Sequence, residues 1–105
     1  MKFVQLNCTS VRNKKHILEN YLFTNNISVC CLFETFLMSG EVFGIKNYNI
    51  IRSDRDTRSG GVAILIHNSI KFKNLNIFSI YNSVEVCGCE IFTTTGTITV
   101  LSVYL

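Results

Sequence analysis

Residues 29–33 read Val-Cys-Cys-Leu-Phe, five apolar residues that run into Glu34 with no turn residue between. No polar side chain falls on either face of that run, so it reads as a strand covered on both sides. A carboxylate at the lip of a buried strand is costly unless a partner takes it up. A lysine, a helix dipole or a bound cation would serve. A solvated strand end is the plainer alternative, and the residues around Glu34 have to decide between the two.

The run fits a strand–helix–strand unit. Lys2 to Leu6 forms a first strand ending at Asn7, and Cys8 to Asn13 is a polar loop. Lys14 to about Asn25 carries Ile17, Leu18, Tyr21 and Leu22 at the three- and four-residue spacing of one helical face. Asn25-Asn26 suits a helix stop, because Asn tolerates the left-handed backbone after a last turn. Ser28 to Phe33 then returns as the second strand. Such crossovers make the two strands parallel, and the connection right-handed. Asn7 and Glu34 are therefore expected at one carboxyl edge, where open α/β sheets gather their ligands.

Further on, Thr35 to Lys46 reads as a loop with one short turn, and Asn47 to Arg52 as a strand. Ser53 to Ser59 with Gly60-Gly61 reads as a turn joining antiparallel strands, and Val62 to Ile66 as a second fully apolar strand. His67 to Phe78 alternates imperfectly. Val84 to Phe92 and Thr97 to Tyr104 are strands around a turn at Thr93 to Gly96. The 105 residues allow one domain at most. They are 48% hydrophobic, with a mean hydropathy of +0.30, so nearly every strand must be covered or a partner surface is expected. An apolar last strand running almost to Leu105 points to a continuation beyond it, or to a layer supplied from elsewhere.

No stretch reaches the ~18 apolar residues of a membrane span, and no secretory signal is evident. The five cysteines show no Cys-x-x-Cys spacing, which argues against zinc and against a disulfide framework. A reducing compartment, nucleus or cytoplasm, is the expectation. The net charge of +3 permits a nucleic-acid partner without requiring one.

Five stretches stand in order: strand-Asn7; strand-Glu34-Thr35; Asn47-Tyr48-Asn49-Ile50-Ile51-Arg52-Ser53-Asp54-Arg55; Arg58-Ser59-Gly60-Gly61-Val62-Ala63-Ile64-Leu65-Ile66; and Val100-Leu101-Ser102-Val103-Tyr104. Together they resemble the endonuclease/exonuclease/phosphatase superfamily, and within it the apurinic-endonuclease-like domain of non-LTR retrotransposons. The resemblance covers nearly the whole chain but only the first half of such a domain. It implies half of a DNase I-like four-layer α/β sandwich, a mixed sheet with one long helix after the first strand, truncated after Tyr104. It also implies Mg²⁺- or Mn²⁺-dependent nicking of DNA, with a missing C-terminal half and a polyprotein reverse transcriptase as partners.

Carried over residue by residue, Glu34 matches the family's metal-binding Glu of its Glu-Thr pair. Asn7 matches the Asn of a Trp-Asn pair and is a catalytic and metal-site candidate, with Leu6 in place of Trp. Tyr104 matches a Tyr that bonds near the scissile phosphate, and Leu105 stands where prolines follow. Glu85 aligns with a carboxylate behind the metal ligands. Arg52, Arg55 and Arg58 are candidates for DNA phosphates, against a solvated turn compensated by Asp54 and Asp56. The chain has no Asp-x-Asn and no Asp-His, and neither His16 nor His67 matches the family's general base, so the piece alone is expected to be inactive. A non-catalytic remnant that binds DNA or a partner, and a phosphatase of the same superfamily, are the alternatives.

Overall fold

In a computed structural model, residues 1–54, 60–77 and 84–105 are described. The first sheet has four strands in the order β1-β2-β4-β3: β1 Phe3–Asn7, β2 Val29–Phe33, β3 Tyr48–Ser53 and β4 Val62–His67. β1 and β2 are parallel, with Asn7 beside Phe33, while β4 runs antiparallel to both β2 and β3. The second sheet is antiparallel, in the order β5-β6-β7: β5 Phe72–Leu75, β6 Glu85–Thr93 and β7 Gly96–Tyr104. The fold is thus mixed α/β, with two sheets and one helix among the described residues.

The side-chain alternation of β2 and β4 shows why these strands lack polar residues. Cys30, Leu32, Ala63 and Leu65 pack on one face with Leu18 and Leu22 of the helix α1, Lys15–Thr24. Val29, Val62, Ile64 and Ile66 pack on the other with Cys87, Cys89 and Ile91 of β6. Both faces of the central strands are dry, and each fully buried Leu or Ile contributes about 1.5–3 kcal/mol relative to an exposed one. The described layers are therefore three: helix with its loops, first sheet, second sheet. Two stacked sheets with a helical flank are compatible with the half sandwich that the resemblance implies.

Helix α1 is ten residues long, shorter by one residue at each end than its sequence pattern suggested. It stops as Asn25-Asn26 predicts. Asn26 takes φ 52°, its N–H bonds to the Phe23 carbonyl at 3.2 Å, and the Ile27 N–H bonds to the Leu22 carbonyl at 3.1 Å. This paired closure leaves Ile27 and Leu22 together in the core. One expectation fails on this helix. Ile17 is 72% exposed, and the buried stripe is Leu18 and Leu22, with Tyr21 half-buried. In a helix of under three turns only residues four apart stay over a narrow contact line, and Ile17 falls beside it.

Edges and one face remain open. β1 and β3 border the first sheet. On the second sheet Phe92, Leu101 and Val103 are exposed. Among the described residues no helix is long and apolar enough to cross a membrane.

Candidate functional site

The parallel pairing of β1 with β2 brings the two strand ends to one lip. The Asn7 amide donates through Nδ2 to the Glu34 carboxylate Oε2, though the residues lie 27 apart in the chain. The pairing runs on past the strands. Cys8 N–H bonds to the Phe33 carbonyl at 2.9 Å, Ser10 N–H to the Glu34 carbonyl at 2.9 Å, and Val11 N–H to the Thr35 carbonyl at 3.1 Å. Both segments leave the sheet as a matched pair, so the lip is built from backbone and not from loose loops.

That construction carries conformational cost. Thr9, Ser10, Glu34 and Phe36 all adopt positive φ, at 45°, 80°, 55° and 60°. Such backbone is uncommon outside glycine and holds only where the surroundings over-determine it. Of the six non-glycine residues with positive φ among the described residues, these four cluster at the lip. The unusual backbone is thus concentrated where one carboxylate meets one amide.

Several contacts hold the lip in place. Lys14 donates through Nζ to the Cys8 carbonyl and, at 3.3 Å, to that of Thr9. Thr9 in turn donates through Oγ1 to the Asn7 Oδ1 at 3.3 Å. Arg12 Nε donates to Glu41 Oε2 at 2.7 Å, tying the loop after β1 to the loop after β2. The Arg12 hydrogen bond, with a further bond from the Met38 N–H, draws the Glu41 carboxyl down to about 2. Burial pushes the Cys8 thiol above its ordinary range, Lys14 opposes that and Glu34 adds to it.

Behind Glu34, Thr35 is fully buried, and Gly60-Gly61 closes over it. Thr35 N–H bonds to the Gly61 carbonyl at 3.2 Å and Phe36 N–H to the Gly60 carbonyl at 2.8 Å. Gly61 sits at φ 94°, and a Cβ there would fall 2.4 Å from Thr35 Oγ1. The same Gly61 donates its N–H to the buried Glu85 carboxylate, through Oε2. Glu85 pairs in register with Tyr104, whose ring lies 6.3 Å from that of Phe33. Asn7 and Glu34 are thus bonded directly. Glu85 and Tyr104 reach the same end of the molecule through Gly61 and Phe33.

Arg55 and Arg58 lie outside the described residues. The neighbouring Arg52 holds Asp54 at 2.8 Å and also donates to the Met38 carbonyl at 3.2 Å, so it is spent on the loop. Sequence reading singled out neither the clamping role of Thr35 nor the Lys14 brace. Thr35 is marked in the sequence only by its place after Glu34, and Lys14 only as the start of the helical stretch.

Glu34 and Asn7 offer one carboxylate and one amide. Mg²⁺ at phosphate-handling sites keeps several waters and takes one or two carboxylates, so this donor set fits one side of such a site. Turning the Asn7 amide would exchange its N–H for Oδ1 beside Glu34. Among the described residues no group of three His, Cys, Asp or Glu side chains is placed to hold a metal.

Two sheets stacked face to face, with a helix on one flank and the parallel strand ends forming a polar lip, make up a mixed α/β fold. The chain is similar in fold to the endonuclease domain of TRAS1, a telomere-specific non-LTR retrotransposon, with a TM-score of 0.72 and 14% identity. The match covers 97% of this chain and 43% of that one, so the chain spans less than half the length of that solved domain. No protein-family model matches the chain, and no curated protein matches it in sequence.

Proposed function

We propose that this chain carries the metal-side half of a DNA endonuclease centre of the non-LTR retrotransposon type, which cleaves a phosphodiester bond with Mg²⁺ or Mn²⁺. The observation that supports this most is the Asn7–Glu34 contact on a strained, backbone-built lip. The cation would supply charge stabilisation on the phosphoryl oxygens. Glu34 and Asn7 would hold it, with Glu34 fixed by the Thr35–Gly61 clamp. Asn7 would also orient water or a phosphate oxygen through its amide. Tyr104 would donate its hydroxyl toward the phosphate, and Glu85 would support the lip from behind through the Gly61 N–H. Arg55 and Arg58 would meet DNA phosphates.

Alone, the chain is inactive on this reading. It offers two candidate ligands, and it spans 43% of the solved domain it resembles. The test is nicking of supercoiled plasmid with Mg²⁺, by the 105-residue chain alone and with a complementing polypeptide covering the rest of such a domain. Nicking is expected only with the complement, and its loss in Glu34→Ala is expected. Nicking by the complemented pair that survives Glu34→Ala removes Glu34 from the metal role.

A second reading, a non-catalytic remnant that binds DNA or a partner, draws support from the absence of a three-ligand cluster among the described residues. Salt-dependent DNA binding indifferent to Mg²⁺ and to Glu34→Ala, with no nicking on complementation, would favour it.

A further inference from the structure

The far end of the first sheet, opposite the Glu34 lip, opens into a cleft of about 830 Å³ between the end of α1, the start of β3 and the end of β4. That volume lies within the range of small-ligand sites. Its chemistry is uneven in an informative way. Phe23, on the last turn of α1, is 78% exposed at the cleft wall. Asn20, Asn26 and Asn47 line it, and among the described residues none of the three has a side-chain hydrogen bond. Lys46 also lines it, and its ammonium has no ion-pair partner among the described residues. The one acid of the cleft, Glu19, is already engaged by the Lys46 N–H at 2.7 Å and by His16 at 3.7 Å.

His67 is held in one orientation there. Its ring stands edge-on to Tyr48 at 5.2 Å, and its Nδ1 accepts the Ser69 N–H at 3.2 Å with the Ser69 hydroxyl at 2.7 Å. These contacts are made through Nδ1, which leaves Nε2 as the ring nitrogen turned away from Ser69.

An exposed aromatic face, an imidazole, and three amides and an ammonium that have no side-chain partner among the described residues are the complement of a nucleotide. The ring stacks on a base, amides pair with base edges, and the ammonium meets a phosphate. The geometry points to this cleft as a nucleotide-binding site, separate from the Glu34 lip and at the other end of the strands, with Phe23 as the stacking platform and Lys46 as the phosphate contact. The nucleotide would come from a single-stranded nucleic acid or from a free mononucleotide, and both present the same base and phosphate.

Binding of a fluorescently labelled, short single-stranded DNA oligonucleotide to the 105-residue chain, followed by anisotropy without divalent cation, tests this. Phe23→Ala is expected to weaken binding about tenfold, the order of one lost base–aromatic stack. Lys46→Ala is expected to lower the dependence of log affinity on log salt by about 0.7, the value for one phosphate contact on a single strand. Both side chains are exposed, so neither change disturbs the core, and far-ultraviolet circular dichroism confirms folding. Competition by a nucleoside monophosphate assigns the free nucleotide as the ligand, and failure to compete assigns the strand. Absence of binding overturns the site, as does affinity unchanged in both variants. Binding abolished by Glu34→Ala while Phe23→Ala is silent places the strand at the lip and also overturns it. Complemented nicking bears only on the lip, so the two readings fail separately.

Discussion

Gly61 and Thr35 stand so close that a single methyl group at position 61 would overlap the Thr35 hydroxyl, 2.4 Å away. One glycine thereby seats the residue after Glu34 on one side and takes up the Glu85 carboxylate on the other. Gly61→Ala combines that overlap with a left-handed backbone. It is expected to cost about 1–3 kcal/mol from the backbone alone, with more from the overlap. Removing the hydroxyl as well, in Gly61→Ala with Thr35→Ala, should recover the overlap part and not the backbone part. Urea unfolding of the two single variants and the double variant measures the coupling, and strict additivity would separate the two residues.

Asn7→Asp replaces the N–H that meets Glu34 with a second carboxylate. Two facing carboxylates raise the protonation range of one of them, so the folded state should be destabilised at neutral pH. The loss should shrink as pH falls through the carboxylate range, because protonation of one partner restores a donor. Mg²⁺ should also relieve it if the two oxygens face a common cation. Melting curves at neutral and acid pH, with and without Mg²⁺, check both statements. A variant whose stability tracks wild type at every pH would mean that the two side chains do not meet in solution.

Arg12 and Glu41 bind the two lip loops together, and the folded-state Glu41 carboxyl is lowered from 4.5 to about 2. A depressed carboxyl stabilises the fold above its unfolded value and loses that contribution as pH falls. The pair should therefore contribute fully at neutral pH, and its contribution should fade between about 4.5 and about 2. Glu41→Gln should flatten that part of the stability-versus-pH curve, as read by denaturant titration at a series of pH values.

Burial drives the Cys30 and Cys87 thiols up to about 12 and the Cys89 thiol to about 11. All three are buried, so at mildly alkaline pH they are neither ionised nor reachable. Alkylation followed by mass spectrometry should leave these three unmodified in the folded chain and label all five after unfolding. Early labelling of Cys87 or Cys89 would show that the two sheets separate readily.

The meeting of Asn7 and Glu34 was legible in the sequence, because covalent order and topology together dictate position. An apolar run ending on Glu34, joined by a helix to a strand ending on Asn7, leaves one arrangement of the two side chains, and they meet. The paired strands β3 and β4 were legible from the apolar run at Val62 to Ile66 and the turn residues before it. What stayed hidden depended on contacts across long separations. Nothing near Gly61 in the chain announces Glu85, because that bond forms only when the second sheet closes on the first. Ile17 was misplaced because periodicity reports which residues share a face, whereas the width of the buried strip depends on what packs against it. Arg55 and Arg58 lie outside the described residues.

Strand β1 borders its sheet, and in a parallel pair only alternate residues of the border strand bond to the neighbour. Every second amide of Phe3–Asn7 therefore looks outward. Amide exchange along this segment should show a two-residue beat of slow and fast protons. A newly added strand would be detected first as the silencing of the fast set.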